Sequence, residues 1–198
     1  MTDDTTNGRR SRWQILLLFV LFVGPLAMAW LLYYGGGDWR PEGRSNHGVL
    51  IEPPTPLPET ALVLMDDSST EPDVLRHVWT LLYIDEGVCT DACQEALYRS
   101  RQVRIALGKE IDRVQRLYLY KGDRIDLVSD HPDLIVADAG SPGGLELITA
   151  FPPDEPPNGD NIYLVDPLGN LMMRFPLDDD ARDILLDLKK LLKLSRIG

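Results

Sequence analysis

From Trp13 to Tyr34 the chain carries no charged residue, and no other feature restricts its fold as strongly. Roughly 20 apolar residues in an α-helix span the hydrocarbon core of a bilayer, so residues 13–34 are predicted to be a transmembrane helix. Trp13 at one end and Trp30, Tyr33 and Tyr34 at the other stand where amphipathic rings settle at headgroup level. Arg9, Arg10 and Arg12 directly precede the run. The positive-inside rule therefore keeps residues 1–12 in the cytoplasm and exports the chain beyond Gly35. The basic start, the apolar stretch Ile15 to Val23 and Ala27-Met28-Ala29 also fit a cleaved signal peptide. Apolar and aromatic residues continue to Tyr34, however, which favours an anchor that is kept. Gly24-Pro25 predicts a kink of the sort membrane helices tolerate. The expected setting is the inner, cytoplasmic membrane, crossed once, with the C-terminal part in the periplasm.

The remainder is acidic. The chain's formal net charge is −11, and setting aside Arg9, Arg10, Arg12, Asp3 and Asp4 leaves 17 basic against 29 acidic residues. Nucleic acid is not expected as a partner, because phosphate binding needs clustered Lys and Arg to release counterions. A chain with 44% hydrophobic residues is able to bury one good core. Its 2 cysteines are too few for a small disulfide-built scaffold, which needs several pairs. They are a local device.

Residues 35–59 are rich in Gly and Pro without apolar periodicity and read as a tether, leaving residues 60–198 as the domain. Ala61 to Met65 reads as an edge strand or docking segment, and His77 to Ile84, apolar and rich in β-branched and aromatic residues, as a central strand covered on both sides. A helix with apolar residues at Ala92, Ala96, Leu97, Val103 and Leu107 comes next, with Thr90 or Asp91 as its cap. Val114 to Tyr120 reads as a strand closed by Lys121-Gly122-Asp123. Pro132 predicts a short helix over Asp133 to Ala139, and Gly140 to Gly144 a turn. Asn161 to Val165 and Asn170 to Phe175 read as a hairpin. After Asp178-Asp179-Asp180 a last helix carries the stripe Ile184, Leu185, Leu188, Leu191 and Leu192, with Lys189, Lys190 and Lys193 near its C-terminal end. Strands alternating with helices give an α/β arrangement, a thioredoxin-like domain behind one transmembrane helix.

Cys89 and Cys93, four apart at a helix start, project on one face, where they suit a short-loop disulfide or shared binding of a soft metal ion. Helix N-terminal N–H groups stabilise thiolate, so Cys89, the more exposed, is expected to attack and Cys93 to resolve. A loop this short removes little unfolded-chain entropy, which argues for electron exchange over bracing.

The strand ending Trp79-Thr80-Leu81-Leu82-Tyr83, the motif Cys89-Thr90-Asp91-Ala92-Cys93 and the late Tyr163-Leu164-Val165-Asp166-Pro167-Leu168-Gly169 together resemble the SCO/SenC family. Those are membrane-anchored, thioredoxin-fold proteins of cytochrome c oxidase assembly. The resemblance covers about residues 60 to 195 in order of elements. It implies that Cys89 and Cys93 bind copper or cycle as a dithiol, with a respiratory oxidase subunit or another copper-assembly protein as partner. Asp91 matches the family's Asp, whereas Thr90 replaces its proline and the position of its copper-binding histidine falls on Asn158. The chain's own histidines are His47 in the tether, His77 at a strand start and His131 before Pro132. Of these, His131 is the candidate third metal ligand. Met172 and Met173, soft donors on a strand, point to opposite faces, and core packing is their expected role. Pro156 or Pro157 is the candidate for a cis-proline beside the cysteines.

Dithiol chemistry comes first on this reading and copper second, with copper the only cofactor implied. The alternative is a non-enzymatic scaffold or docking subunit of a membrane complex, whose acidic surface and C-terminal Leu/Lys helix form its interface. A thiol peroxidase lacks its sequence context, and the Gly-x-Ser-x-Gly of a hydrolase does not occur.

Overall fold

A computed structural model of the chain describes residues 5–34, 46–86, 88–122, 130–195 and 197. The expected stop at Gly35-Gly36-Gly37, the tether as far as Ser45 and Asp123 lie outside the described residues. The chain divides into two compact units, Met1–Arg44 and Ser45–Gly198.

The first unit is one helix, α1 (Thr5–Tyr34), with Pro25 inside it. Its segment Arg12–Tyr34, 23 residues with a mean hydropathy of 2.6, is long and apolar enough to cross a membrane, at about 34 Å of helical rise.

The second unit is a mixed six-stranded sheet in the order β1-β6-β5-β2-β3-β4. Its centre is β2 (Trp79–Glu86), buried from Trp79 to Ile84. Side chains of a strand alternate between faces, and β2 divides accordingly. Leu81 and Tyr83 enter a core with α2 (Asp91–Ala106) and α4 (Ala181–Leu194), while Leu82 and Ile84 enter a second core with α3 (Pro142–Thr149). β3 (Val114–Lys121) runs parallel to β2, and β4 (Leu134–Asp138) parallel to β3. On the other side the hairpin β5 (Asn161–Val165) and β6 (Asn170–Pro176) adds antiparallel strands, as expected, turned by Asp166, whose carboxylate accepts from the N–H groups of Leu168 and Asn170.

Three expectations are corrected. Part of the supposed tether is β1 (Val49–Pro56), paired antiparallel with β6 with an irregularity between Leu50 and Thr55. Its prolines are admissible because an edge strand need not donate along its free side. The short helix expected over Asp133 to Ala139 is instead β4, since Leu134-Ile135-Val136 suits a pleated ladder better than a helical turn. The turn expected over Gly140 to Gly144 contains the start of α3: Ser141 caps it by accepting from the Gly144 N–H at 3.1 Å, and Pro142 opens its first turn.

Beneath α2, β3 carries Arg116, whose side chain is wholly buried. Its guanidinium donates to Asp133 Oδ1 at 3.1 Å and Oδ2 at 3.2 Å, to Ser100 Oγ at 3.1 Å and to the Leu97 carbonyl at 2.6 Å.

Candidate functional site

The end of β2 delivers the chain to the N-terminus of α2, and the cysteines stand on either side of that junction. Cys89 precedes the cap residue Thr90, and Cys93 lies in the first helical turn. Thr90 makes no side-chain capping bond, and Asp91 supplies the acidic group of the first turn. The entry into α2 brings the two Cα atoms to 5.2 Å, and the sulfurs form a disulfide. The two are unequally covered: Cys89 is 9% exposed and Cys93 0%. Cys89 is thus the outer sulfur, though less open than a free surface residue.

Behind Cys93 lies a tyrosine cluster. The Tyr118 hydroxyl is 3.6 Å from Cys93 Sγ. The Tyr118 ring stacks on Tyr83 with centroids 5.6 Å apart and lies 6.3 Å from Tyr120. The Tyr83 hydroxyl donates to the Gly159 carbonyl at 3.0 Å, tying the loop before β5 to the sheet. Burial, followed by the nearby Asp85 charge, pushes the Tyr118 phenol up to about 12, and burial followed by Asp85 raises Tyr83 as well. Both phenols hold their protons at physiological pH. Sequence reasoning missed this cluster. Alternation along β3 puts Tyr118 and Tyr120 on one face, but only the register Tyr83↔Tyr118 aligns them with β2.

Asn158 lies in the same loop. Its Oδ1 accepts from the Asp160 N–H at 3.1 Å and the Asn161 Nδ2 at 2.7 Å, and its own N–H donates to the Tyr163 hydroxyl at 3.1 Å. It shapes the loop. A cleft of about 420 Å³ opens beside it, lined by Ile84, Pro157 and the ion pair of Glu86 with Lys121. Pro156 and Pro157 are not preceded by cis bonds; the cis peptide among the described residues is Glu52-Pro53.

None of the histidines joins the cysteines. His131 precedes β4, whose Leu134 pairs with Arg116 near the start of β3. The cysteines come after the far end of β2, which runs parallel, so His131 sits at the opposite edge of the sheet and is not the third ligand expected. Burial, followed by Arg116, lowers its pKa. His77 pairs with Asp73 at 3.2 Å. His47, assigned to the tether from the sequence, faces Asp187 of α4, with Nδ1 3.0 Å from Oδ1. That carboxylate also accepts from the backbone N–H groups of His47 at 2.8 Å and Gly48 at 2.9 Å. Met173 is buried in the core that holds Cys93, as expected of a packing residue. Among the described residues no group of three His, Cys, Asp or Glu side chains could hold a metal ion. Among the described residues the site offers two sulfurs and no third donor, which does not fit a three-ligand copper centre.

Solved structures share this fold. Bradyrhizobium japonicum ScoI with copper bound is 22% identical, with a TM-score of 0.51 over 68% of this chain and 98% of that one. Yeast Sco1 with copper bound is 14% identical, with a TM-score of 0.57 over 71% and 94%. BsSco, a member of the Sco family of cytochrome c oxidase assembly proteins in which a disulfide switch was identified, is 11% identical, with a TM-score of 0.51 over 71% and 96%. The Sco-like thioredoxin fold expected from the sequence is thus the fold found. No curated protein matches the chain. Two family descriptions do: a transmembrane-like N-terminal domain over residues 7–36, and a transmembrane-like, thioredoxin-like C-terminal domain over residues 79–195. With the latter match extending over more than half of its length, the chain belongs to the transmembrane-like, thioredoxin-like family.

Proposed function

We propose that this protein is a membrane-anchored thiol–disulfide exchange factor, facing the periplasm from the inner membrane, that serves the assembly of a respiratory cytochrome c oxidase. One observation carries the reading. A disulfide joins the residue before the cap of α2 to its first turn, with Cys89 the less covered of the pair and Cys93 fully covered. An attacking cysteine must meet its client, and a resolving cysteine must be shielded from it.

In the reduced state the Cys89 thiolate attacks a client disulfide, one client sulfur leaves, and a mixed disulfide forms. Cys93 then attacks Cys89, restoring the intramolecular bond and releasing the second client thiol. Two electrons and two protons pass to the client, and a dithiol donor in the same compartment resets the pair. The oxidase assignment rests on the Sco-like fold and on the roles of those proteins. Copper is secondary: Cu(I) as cargo would find two thiolates after reduction.

Replacing both cysteines with serine in cells that depend on this protein tests the reading. Maturation of the oxidase copper subunit should fall to the level of a deletion strain. Full maturation in the serine variant would overturn exchange chemistry and leave a docking scaffold. Incubating the reduced chain with Cu(I) separates the copper form, which requires about one bound ion, lost when either cysteine is replaced.

A further inference from the structure

An incoming thiolate attacks a disulfide along the bond between its sulfurs, and the far sulfur departs with the electron pair. Here the near sulfur can only be Cys89, because Cys93 has no exposed surface. Negative charge must then develop on a sulfur buried in the apolar core that also holds Ala96, Leu97, Ile162 and Met173, where low polarity opposes it. The buried polar side chains of Thr80, Ser100, Arg116, Ser141, Asn161 and Asp187 make no hydrogen bond to Cys93. Among the described residues the Tyr118 hydroxyl is the group that does, at 3.6 Å, and it has no other hydrogen-bond partner. A disulfide sulfur carries no proton, so the phenol is the donor. Stacking on Tyr83 holds the ring in place.

We propose that Tyr118 is a positioning residue for this disulfide: its O–H stabilises the charge arriving on Cys93 as Cys89 is attacked, setting both the direction and the speed of exchange. The inference rests on the dithiol reading above and names the group that directs the same site. In the resetting step a sulfur of the dithiol donor bonds to Cys89 Sγ, the Cys89–Cys93 bond breaks, and the electron pair passes to Cys93, which is later protonated from solvent. The donor's second thiolate then attacks its own sulfur in the mixed disulfide. This releases Cys89 as a thiol once protonated and leaves the donor oxidised. The phenol stays neutral throughout, a fixed donor of the kind that stabilises developing charge without reorganising.

The oxidised full chain in detergent micelles is treated with glutathione, quenched with N-ethylmaleimide and mapped by peptide mass. In the wild type, glutathione should be found on Cys89 and maleimide on Cys93. Tyr118→Phe should open about ten-fold more slowly, the effect of one hydrogen bond to a developing charge. Tyr83→Phe, which keeps the ring but loses a hydroxyl directed at Gly159, should open at the wild-type rate. Incorporation of 3-fluorotyrosine at position 118, which retains an O–H, should restore the rate lost in Tyr118→Phe. A Tyr118→Phe rate within about two-fold of wild type, or a fluorotyrosine chain as slow as Tyr118→Phe, would overturn the role of Tyr118 and leave the dithiol reading intact. A wild-type disulfide that neither glutathione nor dithiothreitol opens would overturn both.

Discussion

Arg116 and Tyr118 are two residues apart on β3, share its α2-facing side and are both shut off from solvent, yet they solve opposite problems. At the N-terminal end of the strand a full positive charge is buried and each nitrogen of its guanidinium is used, on Asp133, Ser100 and the Leu97 carbonyl. At the C-terminal end the buried groups are neutral, and a single hydrogen bond reaches a sulfur. Burial lowers the Arg116 pKa, while the Asp133 charge and hydrogen bonds work against it. The contrast teaches that one face of one strand serves two purposes. The charged end fixes the helix on the sheet, and the neutral end sets one phenol against the disulfide.

The first way to break this comparison has the largest expected effect. Arg116→Ala leaves Asp133 without its guanidinium and opens a void under α2. It should destabilise the domain by about 3–5 kcal/mol, the cost of breaking a buried pair from one side, read as a lower urea midpoint. The reduction potential of the cysteine pair, measured in whatever fraction stays folded, should not change. Tyr118→Phe should show the reverse, with stability altered by less than about 1 kcal/mol and exchange slowed. A potential that moves with Arg116, or a stability that collapses with Tyr118, would mean the two ends are one network.

How far these ends were legible in the sequence differs for a physical reason. The cysteine pair, β2, α2, the hairpin and α4 each carry a local signal: a motif, an unbroken apolar run, or a periodic stripe. β1 was hidden because Pro53, Pro54 and Pro56 signal a linker, and only pairing with β6 makes them an edge strand. α3 was hidden behind Gly143-Gly144, which read as a turn. Those glycines are required because a Cβ on Gly143 would strike the Ala61 carbonyl, and one on Gly144 the Asp138 carbonyl. Within the site, Cys89 and Cys93 were legible and Tyr118 was not. A tyrosine in a strand has no sequence mark of which helix residue it meets, since that depends on how α2 lies on the sheet. Arg116 did leave a mark, a lone charge within Val114 to Tyr120. Its partner Asp133 lies on a segment that Pro132 made resemble a helix start.

Asp187 extends the comparison to α4. Its carboxylate is nearly as buried as Arg116, but its partners are two backbone N–H groups and a half-exposed imidazole, with no buried cation. Asp187→Ala should therefore cost less than Arg116→Ala, about 1–3 kcal/mol for the stranded N–H groups of His47 and Gly48. A urea midpoint lowered as far as in Arg116→Ala would refute that ranking.

The smallest effect expected is a matter of pH, and it sharpens the same distinction between covered and open charge. The hydrogen bond to Asp187 raises the His47 pKa above its ordinary 6.5; desolvation opposes it, the Asp187 and Asp183 charges add to it, and Lys190 subtracts. A histidine whose folded pKa is raised binds its proton more tightly when folded. Its contribution is therefore fully present below 6.5 and is lost as pH rises through the folded value. His47→Gln should lower the urea midpoint most at about pH 5.5 and hardly at all by about pH 9. Arg116 stays charged across that range, so its deficit should be nearly the same at both. A His47→Gln deficit that is constant, or that grows toward alkaline pH, would show that the ring contributes by packing, and that the charge on Asp187 is satisfied by the backbone alone.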